Sequence, residues 1–132
     1  MNAVRVPAAA AGGDARVSYI DCRDIAAVAA VLLTGSRWGE TLVLTGPEAL
    51  SHHQIAARLS AALGRTVRYL DLPQAAFAER LTGQGLPADF AADVAELFAE
   101  VAGGSLAGTT GTVRELTGRE PRTFDEFLSG LQ

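Results

Sequence analysis

Residues 41–64, TLVLTGPEALSHHQIAARLSAALG, hold two elements and the break between them. Residues 41–45 are a continuous apolar run, the pattern of a strand buried on both faces of a parallel sheet. Gly46-Pro47 interrupts it, because proline offers no N–H to a ladder and the pair favours a turn. Ser51 followed by Gln54 is a capping box, and Leu50 is placed to staple onto Ile55, so a helix starts at Ser51. Gly64 supplies the left-handed residue that closes it. Strand, break and capped helix in succession predict an α/β fold.

Working outward, VSYIDCRDIAAVAAVLL (17–33) repeats the order. Residues 17–21 read as a short strand. Asp24 to about Leu33 reads as a helix, with Asp24 as its cap and Arg23 or another arginine paired with Asp21. That helix is apolar almost all round, which predicts burial on every side. TVRYLDL (66–72) is a third strand, stopped by Pro73. Residues 1–16 are irregular, with Pro7, an alanine run and the turn signal Gly12-Gly13-Asp14.

Four helices follow the third strand. Phe77 and Leu81 mark the first, and Phe90, Val94, Leu97, Phe98 and Val101 the second, which Gly103-Gly104 ends. Thr112/Glu115 and Thr123/Glu126 are capping boxes for the last two. No repeat or long linker divides the chain, so residues 1–132 are expected to form a single domain.

Of the 132 residues 48% are apolar, enough for a real core and against disorder. The net charge of −4 and the lack of a basic stripe argue against nucleic acid as a partner. No run of 18 apolar residues exists to span a membrane, and residues 1–14 lack the layout of a signal peptide. A cytoplasmic location is expected. The one cysteine, Cys22, has no internal partner and is expected to be a buried small hydrophobe. All 11 basic residues are arginine. Without lysine there is no GxxxxGK[ST] phosphate loop, no Schiff base and no Tyr-x-x-x-Lys dyad.

YIDCRDIAAVAAVLL, GETLVLTGPEALSHHQIAARLSAALGRTVRYLDL and ELTGREPRTFDEFL together resemble the C-terminal, substrate-side part of the NmrA-like proteins. These are atypical short-chain dehydrogenases/reductases, and they are similar to NAD(P)H-binding quinone and azo reductases. The resemblance runs from about Arg5 to about Leu131. It implies a truncated fold, a few short parallel strands with about six helices. It also implies a preceding Rossmann half with a glycine-rich phosphate loop, which these residues do not contain. The one literal GxGxxA run, Gly83 to Ala88, follows a helical pattern and contains Pro87, so it does not read as a nucleotide site. No cofactor is expected for the chain by itself.

The candidate catalytic residues are Asp21, Tyr19, Tyr69 and Asp71. Asp21 at a strand end is a possible general acid or base, beside the plainer role of ion-paired helix terminus. By the resemblance, Tyr19 and Tyr69 lie on paired strands beside the substrate cleft, where a tyrosine hydroxyl and Asp71 would polarise a carbonyl and move a proton. Ordinary hydrogen-bonded core tyrosines are the alternative. Phe77, Leu81, Phe90, Leu97 and Phe98 are candidate substrate-binding residues, since in the family this helical region forms the lid. They suit a simple core equally. His52 and His53 point about 100° apart on a helix, cannot share one metal as an i,i+4 pair can, and are expected on the surface. No cluster has metal-ligand spacing.

Two functions follow. The first is a stand-alone, nucleotide-independent protein for an apolar polycyclic or quinone-like ligand. If an enzyme, it would be a non-redox cyclase, isomerase or dehydratase of bacterial secondary metabolism. The second is a non-catalytic subunit completing a separate NAD(P)-binding Rossmann partner, and an inactive remnant is a third possibility. The strand at 41–45 has no polar side, so a homodimer, or a heterodimer with the Rossmann subunit, is expected to cover it, with residues 4–7 covering part of its edge.

Overall fold

In the computed structural model, residues 4–6 and 14–131 are described. The helix announced by Ser51 forms as read. The Ser51 hydroxyl accepts from the Gln54 N–H at 3.2 Å and the Gln54 side chain accepts from the Ser51 N–H at 2.9 Å. Gly64 closes the helix at φ 62°. The chain divides into two compact units, residues 1–17 with 50–107, and residues 18–49 with 108–132.

The first unit contains β1 (Val4–Val6), β2 (Arg16–Val17), β3 (Leu50–Ser51), α2 (His52–Leu63), β4 (Val67–Tyr69), α3 (Gln74–Gly83) and α4 (Ala88–Val101). The second contains α1 (Cys22–Thr34), α5 (Thr112–Thr117) and α6 (Phe124–Ser129). The fold is α/β, with six helices and short strands among the described residues.

β1 pairs in parallel with β4, Val4 opposite Val67 and Val6 opposite Tyr69. β2 pairs antiparallel with β3. Ser60 ties α2 to β4, its hydroxyl accepting from the Val67 N–H at 2.8 Å and donating to the Ala56 carbonyl at 2.7 Å. Ala56, Val67 and Tyr69 form one core cluster with Leu59, Leu70 and Leu72. Phe77 and Ala95 form a second, with Leu72, Ala78, Leu81, Val94 and Phe98, where α3 packs on α4. Burying one such aromatic side chain contributes roughly 1.5–3 kcal/mol.

In the second unit the buried apolar side chains are Val28 of α1, Val113 of α5 and Leu128 of α6. Gly46 passes so close to residue 19 that a Cβ there would lie 1.8 Å from the Tyr19 carbonyl oxygen. That contact explains the glycine of the Thr-Gly-Pro break.

Several expectations are corrected. Of the first expected strand, residues 17–21, only Val17 lies in a ladder, together with Arg16 before it, and residues 18–21 lie in none. Residues 41–45 pair with no strand among the described residues, and their burial alternates, with Val43 exposed and Thr45 buried. An apolar strand needs a neighbour on each edge. Here its polar groups are taken instead by Thr110, whose hydroxyl donates to the Val43 carbonyl and whose N–H donates to the Thr45 hydroxyl, each at 2.8 Å. Residues 4–6, expected to cover that edge, pair with β4.

The α1 helix is not buried all round. Asp24 and Val28 are buried, whereas Ala26, Ala29, Ala30 and Leu33 face solvent on the opposite stripe. Asp21, not Asp24, is its cap, accepting from the Arg23 N–H at 2.8 Å. Cys22, the first helical residue, is exposed. The Thr123/Glu126 box forms, but α5 starts from Gly111 with no side-chain cap, so Thr112/Glu115 is not a box.

Candidate functional site

The short strand β4 presents Tyr69 inward, because side chains alternate along a strand and Arg68 takes the exposed side. Two residues on, Asp71 is exposed, and the Tyr69 hydroxyl donates to its Oδ1 at 3.3 Å. The start of α2 closes over the same ring. His52 stacks on Tyr69 with centroids 5.1 Å apart, and His53 meets it edge-on at 4.8 Å.

His52 is therefore buried, against the expectation of a surface position, while His53 is exposed. The 100° separation that keeps the pair from one metal lets them approach one tyrosine from two directions. Burial, and secondarily the neighbouring His53, push His52 below its ordinary range, with Asp71 opposing. The neutral imidazole is favoured at neutral pH. This cluster was missed from sequence because nothing local announces that β4 runs beneath the first turn of α2. Among the described residues no group of three or more His, Cys, Asp or Glu is placed to hold a metal.

Tyr19 and Asp21 belong to the other unit. Tyr19 is half-exposed, and its partial burial raises the phenol above its usual range, so it remains protonated. Tyr19 lies in no strand, so the expected pairing of its strand with that of Tyr69 does not occur. Arg23 grips Asp21 with its Nε at 3.0 Å and an Nη at 2.6 Å. That fork, with the Arg23 backbone N–H, lowers the Asp21 carboxyl to about 2. A carboxylate so held is a poor proton acceptor near neutral pH.

The lining residues separate into two groups. Phe77, Leu81 and Phe98 share one cluster, with the rings of Phe77 and Phe98 edge-to-face at 5.5 Å. Phe90 and Leu97 are 56% and 57% exposed and are not members of it. Seven residues apart, they lie on one flank of α4, about 100° from the face carrying Ala91, Ala95 and Phe98. The literal GxGxxA run forms the turn between two helices. Gly83 ends α3, Gly85 has φ 98°, and Ala88 begins α4.

The NAD(P)H azoreductase of Xenophilus azovorans is 45% identical to this chain over 116 residues, 87% of the chain and 41% of that protein. The chain belongs to the NmrA-like family. The uncharacterized oxidoreductase YesF of Bacillus subtilis is 36% identical over 120 residues, 90% of the chain and 42% of that protein. The crystal structure of the NADPH-dependent quinone oxidoreductase QOR2 of Escherichia coli superposes with a TM-score of 0.82 at 31% identity. It covers 92% of this chain and 45% of its own. The NmrA-like chain thus spans about two fifths of the length of the curated relatives it matches. No protein-family model matches it. Among the described residues no helix is long and apolar enough to cross a membrane.

Proposed function

We propose that these residues are the substrate-side part of an NmrA-like reductase, and that the nucleotide is held by residues outside them, in the same polypeptide or a partner subunit. One observation carries the reading. Identity to an azoreductase is 45% over a stretch that amounts to 41% of it, and the sole GxGxxA run lies in a helix–helix turn. Backbone N–H groups at a strand-to-helix loop are what hold a pyrophosphate, and such a loop is absent from this sequence.

The substrate class is a planar, largely apolar acceptor of the azo or quinone kind. The names of the azoreductase and quinone oxidoreductase relatives support it, as does the wall of Phe77, Leu81 and Phe98. In this reading the chain acts in the cytoplasm. The exposed Leu33, Trp38 and Val43 support assembly, as a homodimer or with a nucleotide-binding subunit.

A second reading, nucleotide-independent acid–base chemistry, is favoured by the Tyr69–Asp71 hydrogen bond under two imidazoles. There the Tyr69 hydroxyl would turn from Asp71 to donate to a substrate carbonyl, and the freed Asp71 carboxylate would accept a proton from the substrate.

A chimera separates the two. This chain, put in place of the matching segment of the Xenophilus azoreductase, is expected to bind NADPH and reduce a naphthoquinone. The isolated chain is expected to show no saturable heat on NADPH titration. A chimera that folds and binds NADPH but reduces neither quinone nor azo dye overturns the reading. A micromolar dissociation constant for NADPH and the isolated chain does so as well.

A further inference from the structure

His52 opens α2, directly after its cap Ser51, and is 8% exposed. Its ring lies almost flat on the buried Tyr69, with 16° between the two planes. Through that stack the first turn of α2 is fastened to β4. Further along the helix, Ala56 packs in the Val67–Tyr69 cluster and the Ser60 hydroxyl accepts from the Val67 N–H. Neither of these later attachments titrates.

The groups around the imidazole set the cost of a proton on it. The unpaired N–H groups that begin α2 turn the positive end of the helix dipole toward residue 52. His53 would carry a like charge, and it meets the same tyrosine edge-on at 4.8 Å. From the β4 side Tyr69 presents its phenol and Asp71 its carboxylate, and of these groups only Asp71 favours the imidazolium. Three arginines complete the surroundings. Arg68 is on the opposite, exposed side of β4, Arg16 is exposed where β2 pairs with Ser51, and Arg58 is about 120° round α2 from His52. Burial and His53 outweigh Asp71, so His52 is held below its ordinary range.

A proton on the closed form would therefore put a charge out of water, at the wrong end of a helix and beside a second histidine. The first turn of a helix opens more readily than its middle, because its N–H groups have no partners within the helix. Release of that turn is the easier response, with α2 still held from Ala56 onward.

We propose that His52 is an acid-sensitive latch, whose neutral ring keeps the first turn of α2 closed over Tyr69 and whose protonation frees that turn and uncovers the Tyr69 ring. The latch goes beyond the proposed function and does not depend on it. Because closure holds His52 low, it is fully favoured above about pH 6.5 and weakens as pH falls below that value. One proton is coupled to opening, so the open population rises about tenfold per pH unit until the lowered closed-state value is reached.

The test is proton NMR of the 132-residue chain between about pH 8 and about pH 5, the range in which histidines titrate. The chain has two, and His53→Asn assigns them. The His52 midpoint is expected below that of His53. Nuclear Overhauser contacts between the rings of His52 and Tyr69 are expected to fade as His52 takes up its proton. Over the same window the protection factor of the Gln54 amide, which donates to Ser51, is expected to fall about tenfold per pH unit while that of Leu63 stays constant. His52→Phe keeps a stacked ring without a proton site and is expected to give a flat Gln54 profile. Should that variant not fold, the wild-type titration decides alone. Ring contacts that persist through the His52 midpoint overturn the inference, as does a His52 midpoint at or above that of His53. A His52 that takes up no proton across the range, an equal loss of protection at Leu63, or the same Gln54 profile in folded His52→Phe also overturns it.

Discussion

The carboxylate of Asp24 accepts two hydrogen bonds from Arg122, one from its backbone N–H at 2.7 Å and one from its guanidinium, across 98 positions of sequence. Asp24 is 3% exposed, and the bond fastens the first turn of α1 to the residue before the cap of α6. Removing one partner of such a buried pair leaves the other uncompensated, so Asp24→Ala is expected to cost about 3–5 kcal/mol by urea unfolding. Asp24→Asn, which still accepts from the backbone N–H, is expected to cost less. Equal losses for the two substitutions would show that the charge, not the backbone bond, dominates.

Asp21 predicts the acid limb of stability. Its carboxyl is lowered from 3.8 to about 2 by Arg23. The lowered folded value means stabilisation that is complete above about pH 4 and is lost as pH falls toward 2. Asp21→Asn is expected to flatten unfolding free energy across that window relative to wild type. Parallel profiles would mean that Arg23 holds Asp21 equally in the unfolded chain.

Gly46 and Gly108 form a matched pair of tests. An added Cβ at Gly46 meets the backbone oxygen of Tyr19, which cannot swing aside, while at Gly108 it meets nothing within 4 Å. Gly46→Ala is expected to cost about 1–3 kcal/mol or more. Gly108→Ala is expected to be neutral or stabilising by about 0.4–1 kcal/mol. Differential scanning calorimetry distinguishes them, and equal melting temperatures would refute the close approach.

The α3–α4 aromatics should divide by role. Phe77→Ala removes a 3%-exposed ring and is expected to cost about 3–5 kcal/mol. Phe98→Ala, at a partly buried ring, is expected to cost less and to weaken naphthoquinone binding. Phe90→Ala and Leu97→Ala are expected to change stability by no more than about 0.5 kcal/mol. A loss of melting temperature in Phe98→Ala with unchanged affinity would make that ring core alone.

Self-association is expected of the purified chain. Val43 is 62% exposed and Leu33 76% exposed, and α1 carries no charge from Ile25 to Thr34 to oppose burial. Sedimentation equilibrium at micromolar concentration should give a dimer, and Val43→Lys should shift it toward 13.7 kDa. A wild-type monomer would show that this apolar surface does not self-associate.

What the chain determines by itself is local. Ser51 and Gln54 announce the start of α2, Gly64 its end, and Thr123 with Glu126 the start of α6, because a cap is satisfied by residues within three positions. The same locality misleads where two caps compete. Asp21 and Asp24 both suit the start of α1, and only the distant Arg122 withdraws Asp24 into its own bond. Tertiary structure alone decided that Tyr69 meets both His52 and His53, and that residues 41–45 join no ladder among the described residues. Each of these depends on which strand or helix arrives from elsewhere in the chain. Periodicity states which side of an element is apolar, but not which neighbour will meet it.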